Sequence, residues 1–250
     1  MINQKVLVLD IETKPLTAYV WETGEQVVNL VQIQEDWTVI AWSAKWLDAP
    51  DSSIIYYDLR KNPNGSDLSI LKPLWKLLDE ADVILTQNGK KFDSKKINAR
   101  FMLNGMPPPK PYTHIDTYLI VKKVASFTSN SLAYLTNKFC KKHKKTSHGK
   151  YSGWSLWIEC LKGNLDAWNE MKKYNIEDVL STEELYQKIK AWAPEAVPKV
   201  FPVTDTSTEC GTCGYEGPMR EGRVRRAKTY SYKQHSCVRC GSWQSGERVK

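Results

Sequence analysis

Lys5 to Glu12 (KVLVLDIE) is an unbroken apolar run that ends in acids, the pattern of a short strand buried on both faces. Two more β-rich runs follow, Trp37 to Leu47 and Ser52 to Leu59, with Asp-Ala-Pro-Asp turning between them as in a hairpin or meander. The period then changes. From Asp67 to Ala81 apolar residues recur at Leu68, Leu71, Leu74, Trp75 and Leu78, a helical spacing with Asp67 placed to cap it. Asp82 to Thr86 reads as strand and Gln87-Asn88-Gly89 as a turn, while Asp93 to Leu103 reads as a helix closed by Gly105 and three prolines. A short strand is expected at Tyr112 to Asp116, a helix from Ser131 to about Lys141, and amphipathic helix, continuous or broken once, from Leu165 to Ala191. The polar segment Lys141 to Gly153 between them reads as a mobile basic loop. Strands preceding helices after an initial antiparallel set predict an α/β domain, a mixed sheet flanked by helices, over residues 1–193. A linker over 194–208 and a small module over 209–250 complete the chain, with no internal repeat.

Composition agrees with an ordered protein: 250 residues with 41% hydrophobic and 26% charged positions can bury a sizeable core. Neither a membrane span nor a signal peptide is legible, so a cytoplasmic protein without a membrane partner is expected. The formal charge of +8 is unevenly placed. Thr117 to Ile158 holds eight lysines and no acid, and Phe201 to the end holds nine basic and five acidic residues, so the remainder of the chain carries −4. Two basic regions around an acidic remainder point to nucleic acid as the partner.

The acids of that remainder form pairs. Asp10 and Glu12 alternate on a strand and so leave the same face. Tyr174 and Asp178 stand one turn apart on a helix, and Asp93 opens another. Each feature alone has a plainer reading: a solvated edge for Asp-x-Glu, a surface acid for Asp178, a helix cap for Asp93. Their conjunction and order are more specific. The sequence resembles the DEDD superfamily of 3′-5′ exonucleases in its tyrosine-bearing branch, through VLDIET (Asp10, Glu12), NGKKFD (Asp93) and YNIED (Tyr174, Asp178). It is most similar to the predicted polymerase-B-like exonucleases of bacteria and phages across most of residues 5 to 190, with Gln87 where such sequences often carry His.

The resemblance implies a ribonuclease-H-like fold and hydrolysis of phosphodiester bonds at a 3′ end, most readily of DNA, by two Mg²⁺ or Mn²⁺ ions about 4 Å apart. It implies that Asp10 bridges both ions, that Glu12 and Asp178 bind the nucleophile-side ion, that Asp93 serves the other, and that Tyr174 orients the attacking water. Asn88 would contact the terminal nucleotide or support Asp93, and His114 and Asp116 would be structural. A polymerase or replication assembly is a candidate partner. An exoribonuclease, and a nucleic-acid-binding adaptor with little catalysis, share the same motifs.

Cys210-Gly-Thr-Cys213 and Cys237-Val-Arg-Cys240 are C-x2-C pairs with 23 residues between them, each followed by glycine, the pattern of a zinc ribbon holding one structural Zn²⁺. His235 is close enough to compete as a ligand, whereas Cys140 and Cys160 read as packing thiols. Between the knuckles, Arg225, Arg226, Tyr230 and Tyr232 combine charge and aromatic faces suited to single-stranded nucleic acid, or merely form a solvated hairpin. Lys144 and Lys145, ahead of the third motif, are candidates to flank a strand entering the site, and Trp154 and Trp157 to stack its bases, with core packing the plainer role of Trp157.

Overall fold

A computed structural model describes residues 4–145, 149–193, 209–222, 224–226 and 231–249, without the side chains of 225, 226, 231, 232, 245 and 247–249. The expected linker and Tyr230 therefore lie outside the described residues. Strand β1, Val6–Thr13, is apolar on both faces because it runs through the middle of a five-stranded sheet. After it the chain makes a two-stranded arm, β2 (Thr17–Ala18) against β3 (Ile33–Glu35), which the apolar pattern did not announce. Strand β4 (Val39–Trp46) then pairs antiparallel with β1, and β5 (Ile55–Asp58) antiparallel with β4, as the meander reading expects.

Helix α1 (Leu68–Glu80) carries the chain over the sheet to β6 (Val83–Thr86), which pairs parallel with β1. Helix α2 (Asp93–Leu103) leads in turn to β7 (Thr113–Asp116), parallel to β6. The order is β5-β4-β1-β6-β7, a mixed sheet. Next come α3 (Thr117–Val124), α4 (Leu132–Phe139), α5 (Ser155–Leu161) and α6 (Leu165–Ile189), a single unbroken helix ending in one 3₁₀ turn. Helices α3 and α5 were not legible, being short and polar or aromatic in part.

The strand period sorts the core into two layers. Leu7, Leu9 and Ile11 pack with Ile70, Leu71, Leu74 and Leu78 of α1 and with Ile97 and Phe101 of α2. Val6 and Val8, on the other face, pack with Val179, Leu185 and Ile189 of α6 and with residues of α3 and α4. The C-terminal module is a separate sheet of β8 (Met219–Glu221), β9 (Arg225–Arg226), β10 (Ser231–Cys237) and β11 (Trp243–Val249), with β10 pairing all three others.

One expectation fails instructively. Asp67 does not cap α1 with its side chain; its fully buried carboxylate accepts from Val39 N at 3.1 Å and from Arg100 Nε at 2.7 Å and Nη2 at 3.0 Å. A carboxylate without water is better satisfied by the guanidinium fork than by one helix amide, so Asp67 ties β4 to α1 and α2. Removing it strands Arg100 as a charge at the edge of the core. Asp67→Ala is expected to lower unfolding free energy by about 3 kcal/mol in a urea titration, well above the ~1 kcal/mol of a lost helix cap.

Candidate active site

Asp10 and Glu12 share the β1 face of Val6 and Val8, so the packing that buries those valines against α6 also brings the acids to that helix. The sequence Tyr174-Asn175-x-x-Asp178 supplies the other side. Asn175, fully buried, donates from Nδ2 to Asp10 Oδ2 at 2.6 Å and accepts from Ser43 Oγ at 2.6 Å, locking α6 to both β1 and β4. One turn on, Asp178 projects to the same place: one oxygen each from Asp10, Glu12 and Asp178 lie within 4.8 Å of one another. Asp93 approaches from α2. It is the first helical residue rather than the cap before it, and its Oδ1 accepts from Ile11 N, between the two acids, at 3.1 Å. The β6 ladder ends at Val8 opposite Leu85, and beyond it Asp93 takes the place of a strand acceptor.

Crowding sets the electrostatics. Burial, then Asp178, Asp93 and Glu12, push the Asp10 carboxyl well above the usual carboxylate range. Burial and Asp178 likewise push Glu12 up to about 8, and burial pushes Asp93 up to about 7. Asp178 is raised by burial in spite of the lysine beside it, and its Oδ1 is buried without a hydrogen-bond partner. Three converging carboxylates, one of them with a buried and unpartnered oxygen, are a donor set for a hard divalent cation, which favours anionic oxygen ligands. The residues fit such an ion.

The supporting groups are partly unforeseen. Lys145 Nζ lies 2.5 Å from Asp178 Oδ2 and 4.4 Å from the centre of the Tyr174 ring, inside the site rather than on its flank. Lys144 stays at the surface, its backbone N–H on Glu177. Residues 141–145 are tied down instead of loose: Glu184 accepts the N–H groups of Lys141, Lys142 and His143, and the His143 ring lies between Asp51 and Glu177. Trp157 donates to Glu12 Oε2 at 3.2 Å and meets the Tyr174 ring edge-on at 6.2 Å, so it reaches the acids as well as the core. Burial and Asp178 raise the Tyr174 phenol to about 12. The one signal for Asn175 was its place inside YNIED; Trp157 reads in the sequence as a core or base-stacking ring, and its bond to Glu12 was not legible.

Asn88 is exposed in the left-handed region at φ 62°, and its N–H, like that of Lys90, is held by the buried carboxylate of Asp116 at 2.8 and 3.0 Å. Gly89 is required there, since a Cβ would meet Thr86 Oγ1 at 2.3 Å. His114, lowered to about 4 by burial, bridges Thr86 and Ser94 as a neutral ring.

In the C-terminal module the four cysteine sulfurs lie within 4.8 Å of one another, with Cys210 to Cys240 and Cys213 to Cys237 both at 3.7 Å. A tetrahedral Zn–S₄ centre with bonds of about 2.3 Å has edges of about 3.8 Å, so the sulfurs fit zinc. Both knuckles close alike: Gly214 at φ 66° donates to Cys210 O, and Gly241 at φ 74° to Cys237 O, each at 2.8 Å. Burial raises the Cys237 thiol, but backbone N–H groups of Cys240 and Arg239 and the neighbouring cysteines outweigh it and bring it down to about 7, favouring the thiolate. Strand pairing sets Arg225 opposite Tyr232 and Arg226 opposite Ser231.

The RNase_H superfamily profile matches residues 7–190. No curated protein matches the chain. Among solved structures, the family B DNA polymerase of the hyperthermophilic archaeon Pyrobaculum calidifontis is similar with a TM-score of 0.55 and 15% identity, over 78% of this chain and 26% of the polymerase. That likeness is one of fold, and the chain spans about a quarter of the polymerase's length.

Because the carboxyls titrate higher in the folded chain, it holds protons that the unfolded chain has released, and stability falls as pH rises through that window. Without added divalent ions, the melting temperature should fall between pH 4.5 and about 8, the values at which Glu12 ionises in the unfolded and in the folded chain respectively. The slope should flatten in Asp10→Asn; a melting temperature that climbs across this range would contradict the assignment. Elemental analysis should find one zinc per chain, lost together with the far-ultraviolet signal of the ribbon in Cys213→Ser.

Proposed function

The chain belongs to the RNase_H superfamily, and from that premise we propose that it is a metal-dependent 3′-5′ exonuclease of the tyrosine-bearing DEDD type, acting on DNA ends. The observation that carries the proposal is the convergence of Asp10, Glu12 and Asp178 on one point, with an Asp178 oxygen left buried and unpaired. Structural acids are placed to be satisfied; these are placed to be shared. Divalent ions held by Asp10, Glu12, Asp178 and Asp93 supply a lowered water pKa and charge neutralisation at the scissile phosphate.

The chain's own residues do the rest. Asn175 fixes the rotamer of Asp10, and Trp157 that of Glu12. Tyr174 remains a phenol at neutral pH, so its hydroxyl orients the attacking water by hydrogen bonding and does not take its proton. Lys145 offsets the charge of Asp178 and faces the Tyr174 ring. The Asp116 carboxylate shapes the turn that presents Asn88 to a terminal nucleotide. Lys144, Arg225, Arg226, Tyr230 and Tyr232 are assigned to the strand itself: cations to phosphates, rings to bases. The superfamily match stops at residue 190, which supports a nuclease domain over 1–193 and a zinc ribbon over 209–250.

A 5′-labelled single strand with Mg²⁺ should shorten to a ladder from its 3′ end. Asp10→Ala should lower the rate at least about a thousandfold, and Tyr174→Phe should lower kcat about tenfold or more with little change in KM. Cleavage indifferent to Asp10→Ala would overturn the proposal. Matched RNA run beside the DNA decides the exoribonuclease reading, since the carboxylates act on the phosphate in either polymer.

A further inference from the structure

Residues 14–37 form an arm whose surface is unlike the rest of the molecule. Its base is fixed. Lys14, itself buried, pairs with Glu35 at 2.9 Å, β2 pairs with β3, and Lys96 stands 3.5 Å from the centre of the Trp37 ring. Farther out, Tyr19 N donates to Gln32 O at 2.9 Å, Gln32 Nε2 donates to Tyr19 O at 2.9 Å, and Asn29 N donates to Gln32 Oε1 at 2.9 Å. These polar bonds give the arm a shape without burying its apolar side chains. Trp21 is 101% exposed, Val31 90%, Val27 89%, Leu30 86% and Tyr19 71%. So many large apolar side chains left exposed within one short segment are uncommon on a monomer and mark a contact site. Because the arm is already shaped, little ordering entropy opposes docking.

Charge selects the partner. From Pro15 to Ala44 there is no Lys or Arg, while Glu22, Glu25, Glu35 and Asp36 fall in the same stretch. With Glu35 taken by Lys14, Glu22 and Glu25 remain close to Trp21 in sequence. Phosphates of nucleic acid or anionic lipid would meet unopposed carboxylates there. The complement is an apolar surface rimmed by lysine, and this chain displays one. Helix α3 exposes Leu119 with Lys122 three residues on, along one helix face, and Val124 and Phe127 are exposed just after. The surrounding sequence, Thr117 to Ile158, carries eight lysines and no acid.

We propose that the arm of one copy docks on the α3 to Phe127 surface of a second copy, in a reciprocal two-fold dimer. Two-fold symmetry makes the contact twice, so a small apolar patch with matched charge is used doubly. The dimer is independent of the nuclease assignment.

Sedimentation velocity of the full zinc-loaded chain over a wide concentration range tests it. The expected result is a monomer–dimer equilibrium that weakens with salt. Trp21→Ser should weaken dimerisation about tenfold or more, as should Glu22→Lys with Glu25→Lys, or Lys122→Glu. All of these positions are exposed, and circular dichroism checks that each variant is folded. Mixing the two charge-reversed proteins re-creates matched charge at both contacts, opposite sign to opposite sign, and should restore the dimer. A wild-type monomer at every concentration, a dimer untouched by either reversal, or reversed variants that fail to pair when mixed would each overturn the proposal.

Discussion

Asp10, Glu12 and Asp178 bring three carboxylates within 4.8 Å on the face of β1 that α6 covers. At an effective dielectric near 20, two unit charges at that distance repel by about 3 kcal/mol. One hydrogen bond from Asn175 to Asp10 returns roughly 1 to 3 kcal/mol, and Lys145 compensates Asp178 alone. The cluster therefore either holds protons, which is what the raised carboxyls express, or holds a further cation. Much of the surrounding architecture follows from keeping the acids together regardless. Asn175 bolts the helix to two strands, Asp93 takes the main-chain amide between the acids, and Trp157 holds Glu12 from α5.

What could be read from the sequence was what repeats locally. The apolar run of β1, the period of α1 and the length of α6 stand close to where patterning puts them, because burial on known faces dictates them. The motif acids were visible for the same reason: Asp-x-Glu on a strand and Tyr-x3-Asp on a helix are local geometries. The misread side chains fail for non-local reasons. Asp67 was expected as a cap from its position before a helix, but its partners Val39 and Arg100 lie 28 and 33 residues away. Lys145 reads in the sequence, together with Lys144, as a contact flanking the strand, and only the fold shows it against Asp178 while Lys144 beside it stays at the surface. The basic loop read as mobile is held at 141–145 by Glu184 and Glu177, acids of α6 that patterning assigned to no task.

Charge is organised on the same logic. The lysine-rich segment from Thr117 to Ile158 feeds one cation inward to the carboxylates and leaves others at the surface, while the arm at 14–37 holds four acids and a single lysine, Lys14, which is paired with Glu35. A net +8 therefore describes no single surface of this molecule. It is the sum of an acidic centre that one lysine compensates in part, an acidic apolar arm and basic regions suited to a polyanion. The four cysteine sulfurs of the C-terminal module repeat the theme in softer chemistry, gathered by two like-built glycine turns rather than by a buried core.

The account rests on the carboxylate cluster being a cation site. Calorimetric titration of the zinc-loaded chain with Mn²⁺ tests this without reference to any substrate. Saturable binding of two ions per chain is predicted for the wild type, and loss of at least one in Asp178→Asn, which keeps the shape of the side chain and removes its charge. Absence of Mn²⁺ binding by the wild type, or binding unchanged in Asp178→Asn, would contradict it.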